Sequence, residues 1–304
     1  MTESKKLPLR SVSQLNQYCR CPMSYKLARI DKVWKRPAAW LPQGTAFHTV
    51  AEVVEKALAE GREVTLERAQ EIFKEEYAKD IGELCAKTPN FDWWFWSGPY
   101  NGEADIERRW NIGLEQVEKF MAWRSDKGQE IWQTPAITDD RCIVSDEANF
   151  TVEVTDEERV IHIKDCDCKP SKPAIELSFD IVLGGIRVRG FIDAVVVVNG
   201  ELRVRDYKTG KKPGDDFQLG VYALALWVLY GVVITSGDYY MAGPKGKKAV
   251  VTDPYDLTEW NLEAVTQRFL EVEEKIQAGE FEADPEADKC GFCDVNYSCP
   301  VFRG

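Results

Sequence analysis

The sequence predicts a mixed α/β fold, and three features of its 304 residues carry that prediction. Apolar residues recur at helical spacing through most of the first 125 positions. From about residue 140 the texture changes to short alternating or wholly apolar runs, punctuated by Gly-Gly and Asn-Gly. One long apolar helix then crosses back before a cysteine-rich tail. Hydrophobic residues make up 44% of the chain, ample for a sizeable core. Residues 1–304 read as a single domain with three parts: a mainly helical 1–135, a sheet with its crossing helix over 136–256, and a helix with a cysteine tail over 257–304.

In chain order, residues 10–30 predict a short helix starting near Ser11 or Ser13 and carrying Cys19 and Cys21 toward its end. A turn at Pro42–Gly44 precedes TAFHTVAEVVEKALAEG, where Ala46, Phe47, Val50, Val53, Val54, Ala57 and Leu58 share helical spacing, Gly61 is a stop, and His48 falls in the first turn. Further helices are expected over 65–87 and 103–125. Between them, FDWWFWSGPY sets four aromatic residues in a row from Trp93 to Trp96. The plain reading is a packed loop or helix interface, and the functional one a stacking surface for exposed bases.

The strands follow as CIVSDEANFTVEV, VIHIK, AIELSFDIVL, IRVRGFIDAVVVV and ELRVRDYK. The turns Gly184-Gly185 and Asn199-Gly200 predict antiparallel hairpins. A helix over 215–230, a strand DYYMA, a basic turn PKGKK, another strand and an amphipathic helix over about 257–277 complete the order.

Composition narrows the function. The N-terminus lacks the apolar stretch of a signal peptide, and the longest apolar run, Val221 to Ile234, falls short of the roughly 20 residues of a membrane helix. An intracellular protein is expected. A net charge of −12 argues against a surface coated with positive charge for nucleic acid, while leaving room for a local basic groove.

FIDAVVVV is apolar on both alternating faces, so it reads as a central strand in which Asp193 is the one ionisable residue. A lone buried carboxylate is costly without a partner. On the next strand the period of two aligns Leu202, Val204, Asp206 and Lys208 on one face. Two acids and one lysine thus converge with negative charge left over, and hard oxygen ligands of that kind suit Mg²⁺ or Mn²⁺. A self-satisfied ion-pair network is the plain alternative. Gln218 and Tyr222, four apart, share one face of the crossing helix, where capping and packing would also account for them.

Nine cysteines are an odd count for a disulfide framework. Cys290, Cys293 and Cys299 form a compact set, and Cys19-Arg-Cys21-Pro22 lies near the other end. Thiolate sets of four hold Zn²⁺ or an iron-sulfur cluster, and spacing does not choose between them. His162, Cys166 and Cys168 read as ordinary hairpin residues rather than a second metal site, and Cys85 and Cys142 as apolar positions.

Together, Gly44-Thr-Ala-Phe-His48, Gly190-Phe-Ile-Asp193, Asp206-Tyr-Lys208-Thr-Gly210 and Gln218-Leu-Gly-Val-Tyr222 resemble, in order and style, the motifs of the RecB-like branch of the PD-(D/E)XK nucleases. The resemblance implies a restriction-endonuclease-like core with a central mixed sheet flanked by helices. It makes His48, Asp193, Asp206 and the carbonyl of Tyr207 ligands of Mg²⁺ or Mn²⁺, Lys208 the catalytic lysine, and Gln218 and Tyr222 residues that position the lysine and the phosphate backbone. Asp206 stands where many relatives have glutamate. The cysteines resemble those of the AddB nuclease domain and CRISPR-associated adaptation nucleases, which implies a 4Fe-4S cluster on Cys21, Cys290, Cys293 and Cys299, with Cys19 the alternative to Cys21 and structural Zn²⁺ the alternative metal. Such a cluster would staple the two chain ends.

The implied function is a metal-dependent DNA exonuclease hydrolysing phosphodiester bonds at strand ends, in recombination, repair, phage DNA metabolism or CRISPR adaptation, in the cytoplasm of a bacterial, archaeal or phage-infected cell. Arg187, Arg189, Lys211, Lys212 and the Lys245–Lys248 turn would line its groove. DNA is the implied partner, joined by a helicase or another recombination or adaptation protein. No phosphate-cradling GxxxxGK(S/T) loop is present, so unwinding would come from another chain. A non-catalytic nucleic-acid-binding or assembly protein on the same fold is the alternative, and the intact acids and lysine argue against it.

Overall fold

The computed structural model describes residues 7–126, 130–136, 150–155, 158–163 and 171–302. Strand β1 (Leu9–Arg10) leads into α1 (Val12–Arg20), whose first turn is capped by the Ser11 hydroxyl accepting the Gln14 N–H. The helix stops at Cys21, which is extended, because Pro22 disfavours helical backbone in the residue before it. Proline, with no N–H to satisfy, then opens α2 (Pro22–Tyr25), and a wider helical turn runs on to Ile30. The single helix expected over 10–30 is therefore two segments joined at Cys21.

Helix α3 (Trp40–Ala59) starts earlier than predicted. Pro42 lies in its first turn, where the missing N–H breaks no intrahelical bond, so the expected turn at Pro42–Gly44 is helical and His48 sits in the third turn. Helices α4 (Leu66–Lys87) and α5 (Gly102–Asp126) fall within one residue of expectation. They approach closely: a Cβ on Gly113 of α5 would enter the Phe73 ring of α4.

The sheet comprises β2 (Glu130–Ile131), β3 (Phe150–Thr155), β4 (Glu158–Ile163), β5 (Ile175–Leu183), β6 (Ile186–Val198), β7 (Glu201–Lys208), β8 (Ser236–Met241), β9 (Val250–Val251) and β10 (Tyr255–Asp256). Its main order is β10-β8-β7-β6-β5-β3-β4, with β1 and β2 also paired to β6 and β9 to β8. The β5-β6 and β6-β7 hairpins are antiparallel, as predicted. Gly184, Gly185, Asn199 and Gly200 have φ of 55°, 78°, 53° and 83°, the left-handed pair that such two-residue turns require.

Between β7 and β8 the chain instead crosses over through α6 (Asp216–Tyr230), and these two strands pair in parallel, which makes the sheet mixed. Helix α6 is capped by Asp215 and ends at Gly231 in the left-handed region, with φ of 70°.

Two cores flank the sheet. One packs α1, α6 and α7 (Leu262–Gln277) on Leu177, Phe179, Val188, Ile192 and Val204. The other packs α3, α4 and α5 on Ile175, Ala194, Val196, Tyr207 and Tyr240. Helix α6 is apolar nearly all round because it is covered by the sheet on one side and by Trp260 and Phe269 on the other. Helix α7 begins later than residue 257, since β10 and the turn in which Asp256 accepts the Thr258 N–H occupy the intervening residues.

The tail, with α8 (Ala287–Gly291), returns to the N-terminal segment: Arg20 donates to the Lys289 carbonyl at 3.1 Å, and the Arg36 N–H to the Asp294 carbonyl at 2.7 Å. Cys142, Cys166 and Cys168, and the side chain of His162, lie outside the described residues. Among the described residues no helix is long and apolar enough to cross a membrane.

Candidate active site

Strands β5 and β6 both change face at one level of the sheet. On β5, Leu177, Phe179 and Ile181 point into the α6 core, whereas Ile175 points into the α3 core. The break falls at Glu176, whose φ of 46° is an uncommon left-handed conformation for a non-glycine residue. On β6 the same exchange separates Ile192 from Ala194, and Asp193 lies between them. The β6-β7 ladder also ends here, at Ala194 opposite Arg205, while β7 stays paired with β8 to Lys208. Beyond this fork Asp193 accepts the Tyr207 N–H at 2.8 Å, a donor that β6 backbone no longer meets.

The fork collects acid. Single ligand atoms of His48, Glu176 and Asp193 lie within 4.8 Å of one another, a set that could hold a metal ion. His48 Nδ1 is 3.4 Å from Asp193 Oδ2 and 3.7 Å from Glu176 Oε1. Asp206, buried on the α6 side of β7, meets the Lys208 ammonium at 2.7 Å through Oδ2. That oxygen has no aligned hydrogen bond, while Oδ1 accepts from Gln218 Nε2 at 2.8 Å. Gln218 also takes the Lys208 ammonium on its carbonyl oxygen at 3.3 Å and donates to the Tyr222 hydroxyl at 2.8 Å. One carboxamide therefore ties together Asp206, Lys208 and Tyr222.

The electrostatics follow from crowding. Burial, then the Asp206 carboxylate, pushes Asp193 from 3.8 up to about 7. Burial likewise raises Asp206, against the pull of Lys208. Burial disfavours the charged form of His48, yet Asp193, Glu176 and Asp206 outweigh it and lift the imidazole from 6.5 to about 9. Such shifts mark a crowded group of buried acids, the setting in which functional sites gather. The imidazole of His48 and the carboxylates of Glu176 and Asp193 fit a divalent cation, with Asp206 beside them engaged by Lys208 and Gln218.

The expected site residues fall into three places. His48, Asp193, Asp206, Lys208, Gln218 and Tyr222 come together at the fork. The Tyr207 side chain points to the opposite face, where its hydroxyl reaches Glu55. Of the expected groove cations, Arg187 is paired with Asp180 across the β5-β6 hairpin, while Arg189, Lys211 and Lys212 are exposed.

Glu176 was missed. Alternation groups it with Ser178 and Asp180 as a solvent-facing residue, and only the backbone kink turns it inward. A charged set on the far face of β7 was also missed: Arg205 grips Asp238 with two hydrogen bonds of 2.5 and 2.8 Å, both residues buried.

Cys21, Cys290, Cys293 and Cys299 line one cavity of about 540 Å³, which Lys208 and Gln218 also border. Cys19 is exposed and does not line it. Four thiols from the two chain ends around one space fit a metal or iron-sulfur ligand set.

A restriction-endonuclease-like sheet that forks at buried acids, with a lysine two residues beyond one of them, defines the class: an α/β nuclease fold with a cation-ready centre. The chain belongs to the PD-(D/E)XK nuclease superfamily, whose family profile matches residues 10–300. It is 71% identical over 308 residues to the Gene 69 protein of Mycobacterium phage L5, covering 100% of both chains. It is 59% identical over 299 residues to the Gene 69 protein of Mycobacterium phage D29, covering 98% of both. A crystal structure of SSO0001 aligns with 43% of this chain and 61% of its own, at 19% identity and a TM-score of 0.27, too low to bear on function.

Proposed function

We propose that the chain is a DNA exonuclease dependent on Mg²⁺ or Mn²⁺, acting on strand ends in phage DNA metabolism. The observation that carries this reading is the convergence of His48, Glu176 and Asp193 beside the Asp206-Lys208-Gln218 cluster. A divalent ion bound there would polarise the scissile phosphate and lower the pKa of a water. His48, Glu176, Asp193, Asp206 and the Tyr207 carbonyl are its proposed ligands. Lys208 places a cation where negative charge grows in the transition state, and Gln218, braced by Tyr222, keeps it there. Arg189, Lys211 and Lys212 supply exposed positive charge for the phosphate backbone on a chain that is otherwise acidic.

Cys21, Cys290, Cys293 and Cys299 are proposed to hold a 4Fe-4S cluster as a structural staple. Structural Zn²⁺ on the same four thiolates is the alternative, and metal analysis distinguishes the two.

The test is cleavage of end-labelled single- and double-stranded DNA, with and without Mn²⁺, by anaerobically purified protein. Asp193→Ala and Lys208→Ala should each abolish product while leaving the fold intact. Retained cleavage in either variant overturns the site, and DNA binding by wild type without metal-dependent cleavage favours a non-catalytic binding protein.

A further inference from the structure

The aromatic run at Trp93–Trp96 is only half absorbed by the core. Trp94 and Phe95 are buried, whereas Trp93 is 48% and Trp96 52% exposed. Trp93 does not stand alone. Its ring lies 5.9 Å from Trp34 and 5.5 Å from Tyr297, and Trp34 lies 6.2 Å from Tyr297, so three exposed rings from distant parts of the chain form one cluster. Exposing three large rings together leaves apolar area in water that a packed loop would remove.

The rings are held in place. The Trp34 indole N–H donates to the Thr88 hydroxyl at 3.2 Å. The Arg36 guanidinium sits 5.2 Å from the Tyr297 centroid and 4.5 Å from that of Phe95, while donating to the carbonyls of Trp93 and Trp94. Beside them opens a hollow of about 380 Å³ lined by Trp34, Lys87, Thr88, Pro89, Asn90 and Trp93. Cations accompany the cluster: Arg36, exposed Lys87, and exposed Lys35, which is 3.5 Å from Asp294. Arg36 and Lys87 bring positive charge to the cluster on a chain of net −12, while Lys35 is paired with Asp294.

The cluster also connects to the cysteine-lined cavity, which Lys208 and Gln218 border. Phe292 is 60% exposed and borders the same cavity. Trp40 lies 6.4 Å from Phe292 and 5.4 Å from Phe95, and Phe95 touches Arg36. Ring contacts, through the buried Phe95 and the Arg36 guanidinium, therefore connect Phe292 at the cysteine-lined cavity to the Trp93 cluster.

We infer that Trp34, Trp93 and Tyr297 form a stacking platform for unpaired bases, which makes a single-stranded segment of DNA the substrate held by this nuclease. Every base offers a π-face, so immobilised rings flanked by cations hold a single strand with little sequence preference, whereas the stacked bases of a duplex present no free face to them. The inference rests on the nuclease reading only for the direction in which the strand runs; the binding itself does not need cleavage.

Binding is therefore measured in EDTA, by fluorescence anisotropy of a labelled oligodeoxythymidylate and of a blunt duplex of equal length. Stacking lost by alanine substitution corresponds to roughly 5- to 150-fold per base. Trp93→Ala and Tyr297→Ala should each weaken single-strand binding within that range and duplex binding by less than about twofold, with Trp93→Phe restoring most of the affinity and thermal melting unchanged. Single-strand affinity equal to wild type in both alanine variants overturns the platform and leaves the cluster to a protein partner. Equal losses for single strand and duplex also overturn it. If wild type cleaves nothing with any metal yet the alanine variants lose single-strand binding selectively, the nuclease reading fails and the platform stands.

Discussion

The Tyr207 hydroxyl donates a 2.9 Å hydrogen bond to Glu55, beneath the acidic site and out of contact with it. Glu55 lies seven residues after His48 on α3, which places both on one face of that helix. Tyr207 lies on β7 between Asp206 and Lys208. This one bond thus ties the helix that carries the histidine to the strand that carries the acid and the lysine. The other Glu55 oxygen takes the Arg124 guanidinium at 2.8 Å, and Glu55 is fully buried.

Glu55→Ala should therefore destabilise the protein by about 3–5 kcal/mol, the usual cost of breaking a buried charge pair from one side. Glu55→Gln, which keeps an acceptor for Tyr207 but no charge for Arg124, should lose less. Urea unfolding of both variants checks the order, and a smaller loss for alanine than for glutamine contradicts the tie.

Gln218 makes its three contacts as donor and acceptor at once, so its replacements separate position from volume. Gln218→Glu cannot donate to Asp206 and adds a like charge beside it. It should lower kcat by roughly 10- to 100-fold with little change in KM, and more than Gln218→Ala does, because repulsion from Asp206 compounds the lost bonds. Steady-state kinetics on labelled DNA decide; a change confined to KM points to substrate binding.

Metal-free protein should lose stability as pH rises. Asp193 titrates near 7 when folded against 3.8 ordinarily, and His48 near 9 against 6.5. A raised folded pKa contributes stability that is whole below the unfolded value and gone above the folded one, so the Asp193 contribution disappears between pH 4 and 7 and that of His48 between 6.5 and 9. Thermal melts in EDTA across that range should fall more steeply for wild type than for Asp193→Asn. Mn²⁺ should restore stability most at high pH, since ligands must shed protons to bind it.

Cys21→Ser should remove iron, sulfide and visible absorption from anaerobically prepared protein and lower its melting temperature, whereas Cys19→Ser should leave all three unchanged, because Cys19 lies outside the cavity. Metal analysis alongside the spectrum checks this. Zinc in place of iron and sulfide contradicts the cluster, and loss in the Cys19 variant reverses the assignment of the fourth ligand.

Much of the fold was legible because its signals are local. Gly184-Gly185 and Asn199-Gly200 specify tight hairpins by backbone freedom alone, and the all-apolar α6 announces a helix covered on both sides. The errors were local too, at Pro22 and Pro42. Proline's missing N–H and its restriction of the preceding residue end a helix at one of these positions and are accommodated in a first turn at the other.

The candidate site divides in the same way. Asp193, Asp206 and Lys208 were legible because charges inside apolar strands contradict their surroundings, and composition and pattern are enough to expose a contradiction of that kind. Glu176 and Glu55 were not. Glu176 sits where alternation expects a solvent-facing residue, and its left-handed backbone turns it into the site; Glu55 is one acid among many on an amphipathic helix until Tyr207 and Arg124 meet it from β7 and α5. The sequence by itself determined most of the elements and the surplus of buried acid. Only the tertiary structure decided which acids face one another and which rings gather at the surface, because those depend on a kink in β5 and on contacts between residues more than 100 positions apart, which no local pattern encodes.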